Sequence, residues 1–463
     1  MTKLKLIYAF WIAVIFCSTA FGQNNEKKLD SLLTSHYKKR EFSGNVLISE
    51  NGKVTFEKSY GFANEVKKIP LDKNFLFDVA SITKEFTATA IVMLQEKGKI
   101  SYDDKIIKYI PELSQYKNIS ISNLLNHTSG IGDLDNLLDT LFAKEFKGLK
   151  SLTNSDMIGV LSKYKPNVKS DILEQYEYSN VGYQLLGTVI EKVSGLKYAA
   201  FIRKNIFEPL KMKNSFVYGE NMKSIPLAEG HYYDDSLKTV EIANTILDYS
   251  RFRITENILG GRGIYTTAND LLIWINNFTQ NKLITPESFA IMTTRATLKD
   301  SSKTDYGFGY ELGFWKDYSP TISHSGRWPG YSTIFEYNPT NKKVVILLRN
   351  FNYPSHLSKI NNILYNIQPL IFINLSKQET DKFVGDYKNP TGSIKKIVSE
   401  NGKIYAQMNP SVKLELKPIS KSKFVIIGYS PEVQYEFIEE NGKVTKYISR
   451  QPEMGVLKEA IRL

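Results

Sequence analysis

Residues 81–98 read SITKEFTATAIVMLQEKG, and this stretch decides both the fold and the chemistry that the chain can support. Apolar residues recur near helical spacing between Ala88 and Leu94, and Gly98 is a typical stop. We therefore predict a helix from Ser81 to Gly98. Residues three apart share one face of a helix, so Lys84 is expected to reach the Ser81 hydroxyl.

This pair of residues predicts nucleophilic catalysis. A free hydroxyl is a weak nucleophile that needs an adjacent base, and a lysine becomes such a base when desolvation or nearby cations depress its pKa. The start of a helix also presents free N–H groups that favour developing negative charge. The alternative is that Ser81 only caps the helix and Lys84 is exposed.

Two further motifs lie downstream. Tyr178 and Asn180 precede an apolar helix predicted over 181–194; a tyrosine can relay a proton, and an amide can hold a substrate carbonyl and a lysine. The alternative is a loop tyrosine followed by an asparagine that caps the helix. His324-Ser325-Gly326 ends a strand-like run, where Gly326 lets a backbone N–H approach a ligand closely.

In this order, the three motifs resemble the signature of penicillin-recognising serine enzymes: S-x-x-K, then S-D-N or Y-x-N, then K-T-G. The tyrosine form is similar to class C β-lactamases and to their relatives among D,D-peptidases, D-aminopeptidases and family VIII esterases. The resemblance covers about 40–365 and extends to three neighbouring stretches, namely 77–80, 124–130 and 260–265.

The resemblance implies an α+β fold in which helices and an all-helical subdomain flank an antiparallel sheet. It also implies an acyl-enzyme on Ser81, with the general-base role shared by Lys84 and Tyr178. Asn180 would position the substrate and Lys84, and His324, Gly326 and Arg327 would complete the substrate site. The backbone N–H groups of Ser81 and Arg327 would hold the oxyanion.

One departure from the family pattern predicts the substrate class. His324 stands where the family has the lysine of K-T-G, and histidine is mostly neutral at pH 7. A permanent cation for a substrate carboxylate is thus lost, and only Arg262 or Arg327 could restore it. We expect poor turnover of penicillins and better activity on esters or small amides.

The pattern of residue types along the chain predicts a leader followed by two domains. Residues 1–22 carry a basic start, an apolar run and small residues before Gln23, which is typical of a secretory signal peptide. An uncleaved membrane anchor and a lipid on Cys17 are the alternatives. We assign 23–372 to the hydrolase domain and 378–463 to a small all-β, lipocalin-like barrel, because hairpin signals recur after Lys382. We expect a periplasmic or secreted protein.

The remaining composition limits other functions. Net charge is +12, but the lysines are scattered among acids, which favours a solvated surface over a nucleic-acid site; attraction to an anionic cell envelope is a minor alternative. Cleavage would remove Cys17, the single cysteine, and no histidine spacing matches a metal site. We expect no cofactor, no metal and no stable membrane insertion after signal removal. The sequence gives no basis for an oligomeric state.

Three functions from different classes fit these observations. The first is a hydrolase acting on a small-molecule or peptide substrate. The second is a sensor of the same fold that is acylated slowly or not at all. The third is a cell-wall binding protein that uses its basic charge.

Overall fold

The computed structural model describes most of the chain after the predicted leader. The described residues are 26–133, 151–219, 225–234, 239–245, 254–314, 319–351, 372–389, 394–400, 402–409, 412–426, 433–451 and 456–463. The predicted signal peptide, which includes Cys17, lies outside them. The chain forms two compact units, Met1–Glu311 with Ile322–Asn366 and Leu312–Thr321 with Ile367–Leu463. The predicted domain bounds, 23–372 and 378–463, stay predictions.

An antiparallel sheet of the order β10-β11-β12-β13-β1-β2 contains four strands that lie wholly in the first unit, β12, β13, β1 and β2. Its six strands are β1 (Gly44–Glu50), β2 (Lys53–Tyr60), β10 (Glu311–Phe314), β11 (Pro320–Trp328), β12 (Tyr331–Asn338) and β13 (Lys343–Arg349). Strands β1 and β2 form a hairpin, and Asn51 and Gly52 both have positive φ, 51° and 78°, as its tight turn needs.

Short strands between these form three small sheets, β3-β4, β5-β9-β6 and β7-β8. Their bounds are β3 (Phe62–Asn64), β4 (Ile69–Pro70), β5 (Phe77–Asp78), β6 (Phe216–Val217), β7 (His231–Asp234), β8 (Thr239–Ile242) and β9 (Ile264–Thr266).

Helices surround the larger sheet. The described α-helices of this unit are α1 (26–38), α2 (Thr83–Glu96), α3 (Ile121–Leu125), α4 (Asn154–Tyr164), α5 (Asn180–Ser194), α6 (Tyr198–Ile202), α7 (Glu208–Leu210), α8 (Ala268–Gln280) and α9 (Pro286–Met292). Irregular helical turns are Ala80–Ile82, Arg203–Phe207, Ile106–Lys108, Pro111–Tyr116 and Ala243–Thr245.

The two faces of the sheet are covered by different helices. On one face, Leu29 and Leu33 of α1 pack with Val46 and Leu347 of the central strands. On the other face, the Phe278 ring of α8 lies 6.3 Å from Phe335, between ring centroids. Helix α8 in turn meets α2, where the Phe86 and Trp274 rings stack at 4.1 Å. Helix α2 is therefore buried within the first unit, and Ser81 lies in the turn just before its N-terminus.

The second unit contains a closed barrel of eight strands, which confirms the predicted all-β barrel. The strands are β14 (Gly385–Lys388), β15 (Ile394–Glu400), β16 (Lys403–Asn409), β17 (Val412–Pro418), β18 (Lys423–Ile426), β19 (Val433–Glu440), β20 (Lys443–Gln451) and β21 (Val456–Arg462), preceded by α10 (Lys377–Asp381). Pairing of Tyr387 with Arg462 closes the ring. Buried aromatic rings, including Phe383, Phe424 and Phe437, fill its interior.

Among the described helices, none has the length and apolar character that a membrane span requires.

Candidate active site

The nucleophile candidate lies at a sharp turn between β5 and α2. Ser81 sits in the single 3-10 turn Ala80–Ile82, so the helix predicted from residue 81 begins as a tighter turn and becomes α-helical at Thr83. Ala80 has a φ of 47°, which is uncommon for a residue with a side chain. The Asp78 carboxylate accepts the Ala80 N–H at 2.8 Å and holds this strained turn. Ser81 remains half-exposed.

The Lys84 ammonium is fully buried directly behind Ser81, which contradicts the alternative of an exposed lysine. Its Nζ donates to Ser81 Oγ at 3.0 Å, to Asn180 Oδ1 at 2.7 Å and to the Gly261 carbonyl at 2.9 Å. The last two groups can only accept. A neutral Lys84 therefore uses its two N–H groups on them and turns its lone pair to the Ser81 hydroxyl, which is the geometry of a general base.

Electrostatics match this role. Burial lowers the pKa of Lys84 to about 7, although the charges of Asp133 and Glu311 oppose the shift. Desolvation disfavours an ammonium because the charged form loses its hydration. A substantial fraction of Lys84 is thus unprotonated at neutral pH, where an ordinary lysine would be almost wholly charged.

We expect the kcat/KM of ester hydrolysis to rise with pH through an ionisation near 7 and to be lost as pH falls below it. The reason is that only the unprotonated amine of Lys84 can take the Ser81 proton. Initial rates of p-nitrophenyl acetate hydrolysis between pH 5 and pH 9 measure this. A profile that is flat across the range, or that rises only above pH 9, would contradict the assignment.

Tyr178 completes the group around the nucleophile. Its ring centroid lies 4.8 Å from Lys84 Nζ. Burial raises the pKa of Tyr178 above its usual range, and the nearby Ser81 side chain acts in the opposite direction. Tyr178 is therefore a neutral phenol at pH 7, placed to pass a proton while Lys84 provides the free base.

Asn180 connects Lys84 to a carboxylate that the sequence reasoning missed. Asn180 Nδ2 donates to Asp133 Oδ2 at 2.7 Å, and its backbone N–H donates to Oδ1 at 2.6 Å. Because a carboxylate can only accept, this contact fixes the amide with Oδ1 toward Lys84. The residue that caps α5 is Ser179, whose Oγ accepts the Gly182 N–H, so the capping-asparagine alternative is wrong.

His127 supports Tyr178 from behind. Its ring lies 4.3 Å from the Tyr178 ring, between centroids, and its Nδ1 accepts the Ser179 N–H at 3.1 Å. This hydrogen bond ties His127 to the segment that carries Tyr178. Burial, together with the charge of Lys84, lowers the pKa of His127 well below its usual value, so the ring is neutral.

Strand β11 closes the opposite side of the site. A side chain at Gly326 would overlap the Val79 carbonyl oxygen, so only glycine lets this strand approach the turn that carries Ser81. The next residue, Arg327, is exposed and lines the cleft beside Ser81. This arrangement suits the predicted oxyanion site, whose second donor would be the Arg327 N–H.

His324 lies behind the cleft wall. Its exposed fraction is 1%, its Nε2 accepts from Tyr306 Oη at 2.8 Å, and its Nδ1 donates to the Ser325 carbonyl at 2.7 Å. Burial lowers its pKa, so the ring is neutral. Both nitrogens are already used by the protein. The substrate-binding role assigned to His324 from the sequence stays a prediction, and the geometry favours a positioning role.

Like that of His324, the Arg262 side chain is occupied by contacts within the protein. Its guanidinium pairs with Asp78 at 2.6 Å, with both side chains buried, and stacks 3.7 Å from the centroid of the Trp328 ring. Since the same Asp78 holds the Ala80 N–H, this ion pair braces the turn of the nucleophile. Of the two arginines that could bind a substrate carboxylate, Arg327 is the one left exposed.

The cleft itself is small, with a volume of about 120 Å³. Its lining residues are Ala80, Ser81, Asp133, Met157, Asn180, Val181, Gln184, Thr255, Ile258, Gly261, Arg262, Arg327 and Trp328. Within the described ranges, no group of three or more His, Cys, Asp or Glu side chains could hold a metal ion. The site thus brings together a hydroxyl, a buried amine and a phenol.

Fold and site together define a serine hydrolase of the penicillin-recognising class. A model of the Beta-lactamase family matches residues 29–367. The chain is 30% identical over 445 residues to Penicillin-binding protein 4* of Bacillus subtilis, covering 91% of this chain and 96% of that protein. The chain therefore belongs to the Beta-lactamase family, and the predicted family, fold class and serine hydrolase class are confirmed.

Two other similarities extend this result. The chain is 29% identical over 325 residues to Teichoic acid D-alanine hydrolase of Staphylococcus aureus, covering 70% of this chain and 73% of that one. The solved structure of the octameric penicillin-binding protein homologue from Pyrococcus abyssi superposes on this chain with a TM-score of 0.62 at 22% sequence identity. The superposition covers 94% of this chain and 99% of that one. At that identity the structural likeness supports the fold alone.

Proposed function

We propose that this chain is an exported enzyme that hydrolyses an ester or a small amide through an acyl intermediate on Ser81. The observation that carries the proposal is the Lys84 amine, which is buried, has a lowered pKa and lies 3.0 Å from Ser81 Oγ. Export rests on the leader-like residues 1–22, and a periplasmic or secreted location follows from it.

The reaction would proceed in two balanced halves. Ser81 Oγ attacks the carbonyl carbon while its proton passes to Lys84, and the N–H groups of Ser81 and Arg327 hold the oxyanion. The oxyanion collapses, the bond to the leaving group breaks, Tyr178 delivers the proton that the leaving group needs, and Lys84 passes its proton on to Tyr178. Water then attacks the acyl-serine and loses a proton to the Lys84–Tyr178 pair. The bond between the acyl carbon and Ser81 Oγ breaks, and the pair returns that proton to Oγ, which restores the hydroxyl.

Esters and small amides are favoured over β-lactams by the charges at the site. His324 is neutral and buried, and Arg262 is paired with Asp78, so neither offers a cation to a substrate carboxylate. Of His324, Arg262 and Arg327, only Arg327 is exposed at the cleft. One relative is named Teichoic acid D-alanine hydrolase, which supports a small acyl substrate.

The test is a substrate panel run on the wild-type chain and on Ser81→Ala. p-Nitrophenyl esters, a chromogenic cephalosporin and D-alanyl peptides would be compared by kcat/KM. We expect ester hydrolysis that depends on Ser81 and exceeds cephalosporin turnover. Cephalosporin hydrolysis at rates matching simple esters would overturn the substrate assignment, and acylation without turnover on any substrate would favour a sensor.

Tyr178→Phe is expected to slow ester hydrolysis by about 10²-fold, the lower end of what a proton-transfer group contributes. Phenylalanine keeps the ring that packs on His127 and Lys84 and removes only the hydroxyl, so the fold should be retained. Stopped-flow measurement of the p-nitrophenol burst separates acylation from deacylation. Unchanged rates in both phases would assign the proton transfers to Lys84 alone.

A further inference from the structure

One carboxylate near the site has no role in the mechanism above. Glu311 begins β10 and is partly exposed, and its Oε1 accepts the Ser325 hydroxyl at 3.3 Å. Ser325 lies on β11 between His324 and Gly326, in the strand that forms the cleft wall. The Glu311 carboxylate is therefore held at the edge of the strand against which a substrate would lie.

Glu311 has no countercharge of its own. No Lys, Arg or His forms an ion pair with it in the part of the chain that the structure describes. The nearby Lys84 has all three of its donor positions directed at Ser81, Asn180 and Gly261. His324 is neutral, with both nitrogens bonded.

The charges of the site do not balance when Lys84 is in its neutral form, which is the form that can act as the base. Asp133 and Glu311 then contribute two negative charges, and the exposed Arg327 contributes one positive charge. The Asp78–Arg262 pair is neutral as a unit. A substrate cation would remove this excess, whereas a substrate carboxylate placed near Ser325 would meet a like charge.

We infer that Glu311 is a specificity-determining residue that binds a protonated amine of the substrate. The inference rests on the proposed function and deepens it: the preferred substrates are esters or small amides that carry an ammonium group. Ser325 orients the carboxylate, and the exposed part of Glu311 receives the amine. A charge-assisted hydrogen bond of this kind changes binding by about 10- to 100-fold.

Two pairs of esters test this, each differing only in charge. On the acyl side, alanine methyl ester is compared with methyl isobutyrate, in which a methyl group replaces the ammonium. On the alcohol side, 2-(dimethylamino)ethyl acetate is compared with 3-methylbutyl acetate. The ratio of kcat/KM within each pair is measured at pH 7 for the wild type and for Glu311→Gln. Comparing the ratios between enzymes cancels the intrinsic reactivity of each ester.

We expect Glu311→Gln to lower the cation-to-neutral ratio by about 10-fold or more in one pair, mainly through KM. The pair that responds shows which side of the ester carries the amine. Rates on the neutral esters should change little, because glutamine still accepts from Ser325. Glu287→Gln, which removes an exposed charge from α9, is the matched control and should leave both ratios unchanged.

Unchanged ratios in Glu311→Gln, with neutral esters still hydrolysed, would overturn this inference and leave the proposed function standing. An equal loss on charged and neutral esters would make Glu311 a structural residue and would also overturn it. Absence of hydrolysis of every ester by the wild-type chain would overturn the proposed function and this inference together.

Discussion

Ser81→Ala is expected to reduce ester hydrolysis by about 10⁵- to 10⁶-fold, the order of loss found when a serine nucleophile is removed. The buried Lys84 Nζ lies 3.0 Å from Ser81 Oγ, the oxygen that would be acylated. Alanine has no oxygen at this position. The measurement is kcat/KM for p-nitrophenyl acetate, with the purified variant checked for traces of wild-type enzyme.

The variant should fold normally, because the change is small and Lys84 keeps two of its three partners, Asn180 and Gly261. Thermal unfolding by circular dichroism provides this check. Ser101→Ala is the control, since it also removes a serine hydroxyl but lies outside the cleft and leaves the nucleophile intact. If Ser81→Ala kept more than about one per cent of the wild-type rate in a folded chain, a different residue would have to be the nucleophile.

Lys84→Ala is expected to slow acylation by about 10²- to 10⁴-fold, the range for loss of a general base. The remaining activity should also lose its dependence on an ionisation near pH 7, because the amine with that pKa is gone. Single-turnover kinetics of p-nitrophenol release measure acylation separately from later steps. The pH dependence distinguishes loss of a base from a general disturbance of the site.

Stability must be followed in this variant, since Asn180 Oδ1 and the Gly261 carbonyl lose their donor. Lys84→Met keeps most of the side-chain volume and serves as a second variant if alanine destabilises the fold. Lys99→Ala removes an exposed lysine and should behave as wild type. Near-normal acylation in folded Lys84→Met would show that the proposed base is wrong.

Local chemistry explains why much of this fold could be predicted from the sequence. The apolar spacing after Ser81 and the stop at Gly98 describe a helix that is observed as α2, and the 181–194 helix ends at Gly195, whose φ is 70°. Each signal is carried by residues within one or two turns of one another, where periodicity and capping act.

Parts of the site depend on contacts between distant residues, and no local pattern indicates them. Asp133 reaches Asn180 across 47 residues, and Arg262 reaches Asp78 across 184. Asp78 lies within the motif-like stretch 77–80, and Asp133 follows the stretch 124–130. These positions were the only sign in the sequence that the two carboxylates belong to the site. Glu311 carried no signal, because a single glutamate in a strand is normally a solvated residue.

The sequence shows that His324 stands where the family has a lysine. It predicts the neutral charge of this residue but not its hydrogen-bond partners. The sequence indicates that the residue is neutral, and burial agrees. That its two nitrogens are bonded to Tyr306 and Ser325 depends on how β11 packs against the preceding segment, which the sequence does not reveal.

The most direct test of the central claim, that a buried amine activates Ser81, is labelling with a fluorophosphonate followed by peptide mass spectrometry. We expect a single adduct on Ser81, formed at a rate that rises with pH through about 7 and that falls at least about 100-fold in Lys84→Ala. An adduct on another residue, or equally fast labelling of Ser81 in the Lys84 variant, would contradict it.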